Sequence, residues 1–155
     1  MKLKENDFLQ TPEWVYKTLG AIDLDPCAAP NTAIGRTNYV YEQGENGLEL
    51  EWFGFVYCNP PFSKKEQWIE KMVGHGNGIL LLPERGSTPW HGPCANACKY
   101  HFTMGKKINF EGGSSSNPTG STMFLFGEEA KKRIINSGLP GTLNRVELYR
   151  ARSAA

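Results

Sequence analysis

A short apolar run that stops at two consecutive prolines constrains the fold of this chain more than any other feature. Residues 53–58 read FGFVYC and are followed directly by Asn59-Pro60-Pro61-Phe62. A run of this kind, without alternation of apolar and polar residues, is typical of a strand buried on both faces, as in a parallel sheet. A second such run covers residues 79–82, beyond a helix that the pattern predicts over residues 64–73. The sequence therefore predicts an α/β fold with a mostly parallel sheet.

The remaining predicted elements alternate in a similar way. Thr11 is predicted to be the N-cap of a first helix that has Pro12 at its first position and ends at Gly20. Further strands are predicted over residues 22–24, 36–41, 100–104, 107–110, 122–126 and 146–149, and further helices over residues 89–99 and 128–136. In folds of this class, ligands bind at the carboxyl ends of the strands. The loops that start at Asp25 and at Asn59 are therefore the candidate ligand sites.

Length and composition limit the classes of protein to which the chain can belong. Its 155 residues predict one compact domain, residues 1–155, without a separate domain for target recognition. Hydrophobic residues make up 39%, which is enough for a core, and a formal net charge of +1 neither favours nor excludes a nucleic-acid partner. No apolar run is long enough to span a bilayer, and the first residues lack the pattern of a secretory signal. We therefore expect a cytoplasmic protein with no membrane partner.

Cysteine and histidine residues raise the question of a metal site. Without an export signal, the four cysteines are expected to be reduced. His91, Cys94, Cys98 and His101 have the side chains of zinc ligands. On one continuous helix, His91 and His101 would lie about 15 Å apart, which is too far for one ion. A helix break at Gly92-Pro93 would make a site geometrically possible, but we expect these residues to be structural and predict no metal.

The loop after residues 53–58 has a specific chemical use. Its two prolines hold the backbone extended and are expected to leave the carbonyls of Asn59 and Pro60 without donors. The Asn59 side-chain oxygen and the Pro60 backbone oxygen would then suit an –NH2 group, while Phe62 offers a flat face for a heterocycle. Accepting both hydrogens would free the nitrogen lone pair for attack on a group held in line, so no Ser, Cys or Lys nucleophile is needed.

This loop resembles the catalytic motif of amino-methyltransferases that use S-adenosylmethionine, which reads Asn or Asp, Pro, Pro and an aromatic residue. Further segments occur in the order seen in phage-type DNA N6-adenine methyltransferases of the Dam group: T-P-E-W-V-Y from Thr11, L-D-P-C-A-A from Leu24, N-G-L from Asn46, L-L-P-E-R from Leu81 and G-K-K-I-N-F from Gly105. The resemblance covers about residues 11–126. It implies a Rossmann-like methyltransferase fold, and methyl transfer from S-adenosylmethionine to the N6 amine of adenine. Protection from host restriction, including restriction-modification, and epigenetic marking both remain open as its biological role.

The resemblance also implies a set of cofactor-binding residues. They are Thr11, Pro12, Asp25, Pro26, Cys27, Ala28, Glu42, Asn46 and Leu48, with Glu45 as the alternative to Glu42. Asp25 would accept a hydrogen bond from the cationic amino group of the cofactor. The sequence departs from the family pattern at Ala28-Ala29-Pro30, where a glycine-rich turn is expected, and at Asn46, where an aspartate is expected.

The same resemblance implies how the substrate is held. Asn59 and Pro60 would orient and activate the amine, Pro61 would stiffen the loop, and Phe62 would stack on the adenine. The implied partner is double-stranded DNA, with the adenine flipped out of the helix. Predicted DNA contacts are Lys64, Arg85, Trp90, Lys106 and Lys107, for which an ordinary surface role is the alternative. The loops at residues 87–93 and 111–120 would then recognise the bases of the target sequence.

Two other functions remain open from the sequence. A glutamine methyltransferase that acts on protein, or an RNA methyltransferase, would use the same loop because its –NH2 group poses the same chemical problem. A non-catalytic nucleic-acid-binding relic of the same fold would account for the missing glycine-rich turn. The intact Asn59 loop and Asp25 favour an enzyme over a relic, and binding of S-adenosylmethionine would separate the two.

Overall fold

The computed structural model describes residues 10–110 and 120–147, which form a seven-stranded sheet with helices on both faces. The strands are β1 (Ile22–Asp25), β2 (Gly35–Asn38), β3 (Val56–Cys58), β4 (Gly78–Pro83), β5 (Tyr100–Met104), β6 (Ser121–Phe126) and β7 (Gly141–Arg145). Their order across the sheet is β2-β1-β3-β4-β6-β5-β7. The predicted α/β fold is confirmed, and the sheet is consistent with the Rossmann-like fold that the sequence implies.

Strand direction divides the sheet into two halves. β2, β1, β3 and β4 pair in parallel, whereas β6 pairs antiparallel with both β4 and β5, and β7 pairs antiparallel with β5. β1 to β5 thus share one direction, and β6 and β7 run the opposite way. The prediction of a mostly parallel sheet agrees only loosely with the structure, because parallel pairing is confined to the half that contains β1 to β4. The carboxyl ends of β1, β3 and β4 lie side by side at one edge of this half.

The helices cover both faces of the sheet. They are α1 (Glu13–Tyr16), which continues as the 3-10 turn Lys17–Leu19, α2 (Lys65–His75), α3 (His91–Cys98) and α4 (Glu128–Ser137). Because successive side chains of a strand point to opposite faces, Leu80 and Leu82 of β4 pack with α2 and α3, whereas Ile79 and Leu81 pack with α1 and α4. Among the described residues, none of the helices combines the length and the apolar content needed to cross a membrane.

Several predicted elements differ from the structure. Of the run at residues 53–58, only Val56–Cys58 forms a strand, and Phe53 is 44% exposed, so the run is not buried throughout. The strand predicted over residues 36–41 is β2, which already ends at Asn38. Thr11 does not cap α1, because Pro12 occupies the cap position and no side chain caps this helix. The strand predicted over residues 107–110 is wrong, since both sides of the preceding strand, β5, are already paired with β6 and β7. The strand predicted over residues 146–149 is wrong in position. β7 ends at Arg145, opposite the first residue of β5, and residues 148–149 lie outside the described residues.

The segment between β2 and β3 packs back onto the loop after β1. Gly47 lies so close to the carbonyl oxygen of Pro26 that a Cβ atom at position 47 would overlap it. Trp52 Nε1 donates to the Gly47 oxygen at 2.8 Å, and Lys71 Nζ of α2 donates to the Leu48 oxygen at 2.8 Å. The helix α2 therefore anchors this segment beside the carboxyl end of β1.

Replacement of Gly47 by alanine is expected to lower the free energy of unfolding by about 1–3 kcal/mol, the usual cost of overpacking. The matched control is Gly74→Ala in α2, where an added Cβ meets no atom within 4 Å. This control should be neutral or stabilising by up to about 1 kcal/mol, since alanine favours the helix. Urea denaturation of both variants measures the two changes. Equal stability of Gly47→Ala and the unsubstituted protein would contradict the close approach to Pro26.

Candidate active site

Two loops at the carboxyl ends of neighbouring strands form the candidate site. The loop that begins at Asp25 follows β1, the loop that begins at Asn59 follows β3, and the two strands pair in parallel. The Cys27 thiol donates to the Asn59 backbone oxygen at 2.9 Å, and Cys27 Sγ lies 3.7 Å from Cys58 Sγ. Burial raises the pKa of the Cys27 thiol, which keeps it protonated as a donor. The prediction that the Asn59 carbonyl lacks a donor is therefore wrong, and this contact joins the two loops.

Asp25 carries a buried carboxyl group at the end of β1. The residue is only 3% exposed, and Oδ1 accepts from the Cys27 backbone N–H at 3.2 Å. Burial raises the pKa of the Asp25 carboxyl to about 7, and the hydrogen bond from Cys27 offsets this only in part. Within the described part of the chain, the side-chain ion pairs lie at α1 and on α4, so no cationic side chain neutralises Asp25. A cationic ligand group placed at this carboxyl would therefore be favoured.

The residues around Asp25 are held by the end of β2. The Tyr39 backbone N–H donates to the Asp25 oxygen at 2.9 Å, and the Ala28 N–H donates to the Tyr39 oxygen at 3.0 Å. Pro26 and Ala28 are buried, whereas Cys27 is half-buried. Backbone hydrogen bonds thus fix the loop that lacks the glycine-rich turn.

Thr11 brings the start of α1 into the same site. The residue is 7% exposed, and its hydroxyl oxygen accepts from the Tyr57 phenol at 3.2 Å and from Asn59 Nδ2 at 3.3 Å. Pro12, the next residue, is half-buried. Sequence reasoning missed Tyr57, which it counted only as part of an apolar strand. The signal available was that a buried tyrosine hydroxyl needs a hydrogen-bond partner.

The two prolines after Asn59 lie inside the protein. Pro60 and Pro61 are both buried, and Pro61 has the extended conformation (φ −56°, ψ 136°) before the 3-10 turn Phe62–Lys64 begins. Asn59 itself is half-buried. The side chain of Phe62 lies outside what the structure describes, and its stacking role stays a prediction.

The residues predicted to hold the nucleoside end of a cofactor differ in their contacts. Glu42 is exposed in the 3-10 turn after β2, whereas the alternative, Glu45, is half-buried and accepts from the Val40 N–H at 3.0 Å. The Asn46 side-chain oxygen accepts from the Leu48 N–H at 3.1 Å, and Leu48 packs partly buried against the core. Asn46 therefore stabilises its own turn, with one lone pair of Oδ1 left for a ligand.

The predicted DNA contacts differ in exposure. The exposed or half-buried cations among them are Lys64, Arg85, Lys106 and Lys107. Lys106 Nζ lies 5.0 Å from the centroid of the Trp14 ring. Trp90 is 8% exposed and belongs to the hydrophobic core, so it offers little surface to a nucleic acid. The predicted DNA-reading loop at residues 111–120 lies outside the described residues, except for residue 120.

His91 and His101 lie closer together than one continuous helix would place them. The helix α3 ends at Cys98, Lys99 adopts a left-handed conformation with φ 66°, and the chain turns into β5. The centroids of the two imidazole rings are 6.2 Å apart. Within residues 10–110 and 120–147, no three His, Cys, Asp or Glu side chains are arranged to hold a metal ion, and the cysteines are free thiols.

The sequence matches a known protein family over nearly its whole length. The family is described as DNA N-6-adenine-methyltransferase (Dam), and the match covers residues 1–152 of the 155. No curated protein is similar enough to the chain to count as a match. Every described strand and helix, and both loops of the candidate site, lie within the residues that match the family.

Proposed function

The chain belongs to the DNA N-6-adenine-methyltransferase (Dam) family, and on this basis we propose that it transfers a methyl group from S-adenosylmethionine to the N6 amine of an adenine flipped out of duplex DNA. The single observation that carries the detailed proposal is the contact between the loops at Asp25 and Asn59. It joins the loop of the buried Asp25 carboxyl group to the Asn59 loop, which supports a site where a cation would lie next to acceptors for an amine.

Asp25 supports binding of the cofactor at the first loop. When bound, S-adenosylmethionine supplies a methyl group on a cationic sulfur and carries a cationic α-amino group. The Asp25 carboxyl is buried without a cationic side chain among the described residues, so it fits the amino group as a counter-charge. Thr11 and Cys27 contact Asn59, and Pro12 follows Thr11 directly; these three residues would complete the proposed pocket for the amino-acid end.

Further residues would hold the adenosine. Leu48 and Asn46 lie on the segment that packs against Pro26, next to the Asp25 loop. Leu48 offers apolar contact, and the free lone pair of Asn46 Oδ1 can accept from an amine. The carboxylate of Glu42 or of Glu45 would accept hydrogen bonds from the ribose hydroxyls. Glu42 is exposed, and Glu45 already accepts from the Val40 N–H.

Asn59 and Pro60 would act on the target amine. The Asn59 backbone oxygen is already bonded to Cys27, so the acceptors left for the amine are the Asn59 side-chain oxygen and the Pro60 backbone oxygen. Accepting both amine hydrogens favours a tetrahedral nitrogen with a free lone pair. The loop is held by buried prolines, which supports catalysis by positioning rather than by a covalent intermediate. Phe62 would stack on the adenine.

The exposed cations would contact the DNA backbone. Lys64 follows the Asn59 loop directly, and Arg85 follows β4, whose carboxyl end neighbours that of β3. Both residues therefore lie at the edge of the sheet where the flipped adenine would enter. Lys106 and Lys107 follow β5, at the same edge, and would extend the contact with the phosphates.

Replacement of Asn59 by alanine is expected to lower the rate of methyl transfer at least about 100-fold, because the amine loses one acceptor and its orientation. The affinity for S-adenosylmethionine should change little, since Asp25 and its loop are intact. The measurement is transfer of a labelled methyl group to unmethylated duplex DNA, followed by nucleoside analysis of the product. The matched control is Asn136→Ala, an exposed asparagine on α4, which should retain activity.

The same assay, together with calorimetric binding of S-adenosylmethionine, separates the rival functions. Label in N6-methyladenine that is lost in Asn59→Ala supports the proposal. Cofactor binding without label in DNA would contradict DNA as the substrate and direct the search to RNA or to protein amides. A protein that does not bind S-adenosylmethionine would be the non-catalytic relic. Loss of cofactor binding in Asn59→Ala would mean that the loop has a structural role.

The affinity for S-adenosylmethionine is expected to fall as the pH drops below about 7, by up to tenfold per pH unit. In the free protein burial raises the pKa of Asp25 to about 7, so at lower pH the carboxyl is protonated and loses its attraction for the cationic amino group. Asp25→Asn should weaken binding at pH 7.5 by about 1.5–3 kcal/mol and remove this pH dependence. Calorimetry between pH 5.5 and 7.5 measures both effects.

The matched control for this experiment is Asp23→Asn in the same strand. The Asp23 carboxylate accepts from the Phe55 N–H at 2.8 Å, an interaction that an asparagine oxygen can retain. This variant should keep the affinity and the pH dependence of the unsubstituted protein. An affinity that is constant between pH 5.5 and 7.5 in the unsubstituted protein would contradict the role of Asp25.

A further inference from the structure

Asn59 can serve the target amine in only one of the two orientations of its side-chain amide. The oxygen and nitrogen ends of an amide have nearly the same shape, but the oxygen accepts hydrogen bonds and the nitrogen donates them. An amide turned by 180° would present its –NH2 group to the –NH2 group of the substrate and repel it. The prolines after Asn59 fix the backbone of the loop, but they do not fix this rotation. Another group must select the orientation.

Thr11 is in the right place to select it. Asn59 Nδ2 donates to Thr11 Oγ1 at 3.3 Å, and Thr11 is 7% exposed. With the nitrogen end engaged by this hydroxyl, the oxygen end is turned away from Thr11 and remains available to a substrate. The contact joins residues that are 48 positions apart in the sequence.

Tyr57 holds the Thr11 hydroxyl in turn. Its phenol is fully buried and donates to Thr11 Oγ1 at 3.2 Å. Burial raises the pKa of the Tyr57 phenol, which keeps the donor proton in place. Tyr57 and Asn59 are two residues apart at the end of β3, so their side chains leave the chain on the same side and can reach the same hydroxyl.

We propose that Thr11 and Tyr57 are positioning residues for methyl transfer: the Thr11 hydroxyl, fixed by the Tyr57 phenol, directs the Asn59 side-chain oxygen toward the target amine. This inference rests on the proposed function. It gives Thr11 a role in the chemical step, beyond the cofactor contact that the family resemblance implies. Tyr57 acts through Thr11 and needs no contact with either substrate.

The test uses Thr11→Val, which keeps the shape of the side chain and removes the hydroxyl. We expect kcat for methyl transfer to fall about 10- to 100-fold, the range for a misplaced catalytic contact, with KM for S-adenosylmethionine and DNA within about threefold. Thr11→Ser, which restores a hydroxyl, should recover most of kcat. Tyr57→Phe should lower kcat in the same way but by less, because the Thr11 hydroxyl remains.

The control is Thr18→Val in the 3-10 turn after α1, where the threonine is exposed. It should match the unsubstituted protein in kcat, and melting temperatures of all variants show whether they are folded. A Thr11→Val variant with unchanged kcat would overturn the inference. So would a variant that loses only cofactor affinity, because Thr11 would then be a cofactor contact and nothing more.

A second readout does not depend on activity. In the unsubstituted protein, the side-chain amide protons of Asn59 should exchange with solvent more slowly than those of the exposed Asn136 in a nitrogen-15 NMR spectrum. In Thr11→Val, the Asn59 exchange should accelerate at least about fivefold, since its partner is removed. Equal exchange rates of the Asn59 amide protons in the unsubstituted protein and in Thr11→Val would overturn the inference, even if no methyl transfer is found. An inactive protein with the expected exchange would contradict the proposed function alone.

Discussion

Parallel pairing of β1 with β3 is the constraint on which the rest of the site depends. It places the loop that begins at Asp25 beside the loop that begins at Asn59, and the Cys27 thiol bonds one to the other. The Asp25 carboxyl group, which we propose binds a cation, and the Asn59 amide, which we propose binds an amine, thereby share one edge of the sheet. Because the strands that carry them are buried, this arrangement does not depend on side chains at the surface.

The electrostatic state of Asp25 is the observation that most supports the proposed ligand site. Among the described residues, this carboxyl group accepts one backbone hydrogen bond and has no cationic partner, so in its ionised form it destabilises the folded protein. Perturbed acids of this kind occur mostly at functional sites. The bound cofactor would supply the missing positive charge, so the unfavourable burial in the free protein becomes a favourable contact in the complex.

The sequence predicted those parts of the structure that depend on local patterns. The apolar runs at residues 53–58 and 79–82 and the prolines after Asn59 identified β3, β4 and the loop between β3 and α2. Contacts between distant residues could not be predicted in this way. Thr11 has the pattern of a helix cap, and only the fold shows that its hydroxyl accepts from Tyr57 and Asn59.

One further misreading, and one contact that the sequence did not reveal, have the same origin. The position of β7 depends on pairing with β5, which no local pattern of residues 141–149 reveals. The proximity of His91 and His101 depends on a left-handed turn at Lys99, a conformation that lysine rarely adopts. In each case the missing information was tertiary, and it concerned residues that pair across the sheet or across a turn.

The most direct test of the proposed site is a carbon-13 NMR titration of the Asp25 carboxyl group, with and without saturating S-adenosylmethionine. We expect a pKa near 7 in the free protein, because the group is buried and pairs with no cationic side chain among the described residues. In the complex we expect a lower pKa, by at least about one unit, because a cationic group would then lie against the carboxylate. A pKa near the ordinary value in the free protein, or one that the cofactor leaves unchanged, would contradict the assignment of Asp25 and of the site built around it.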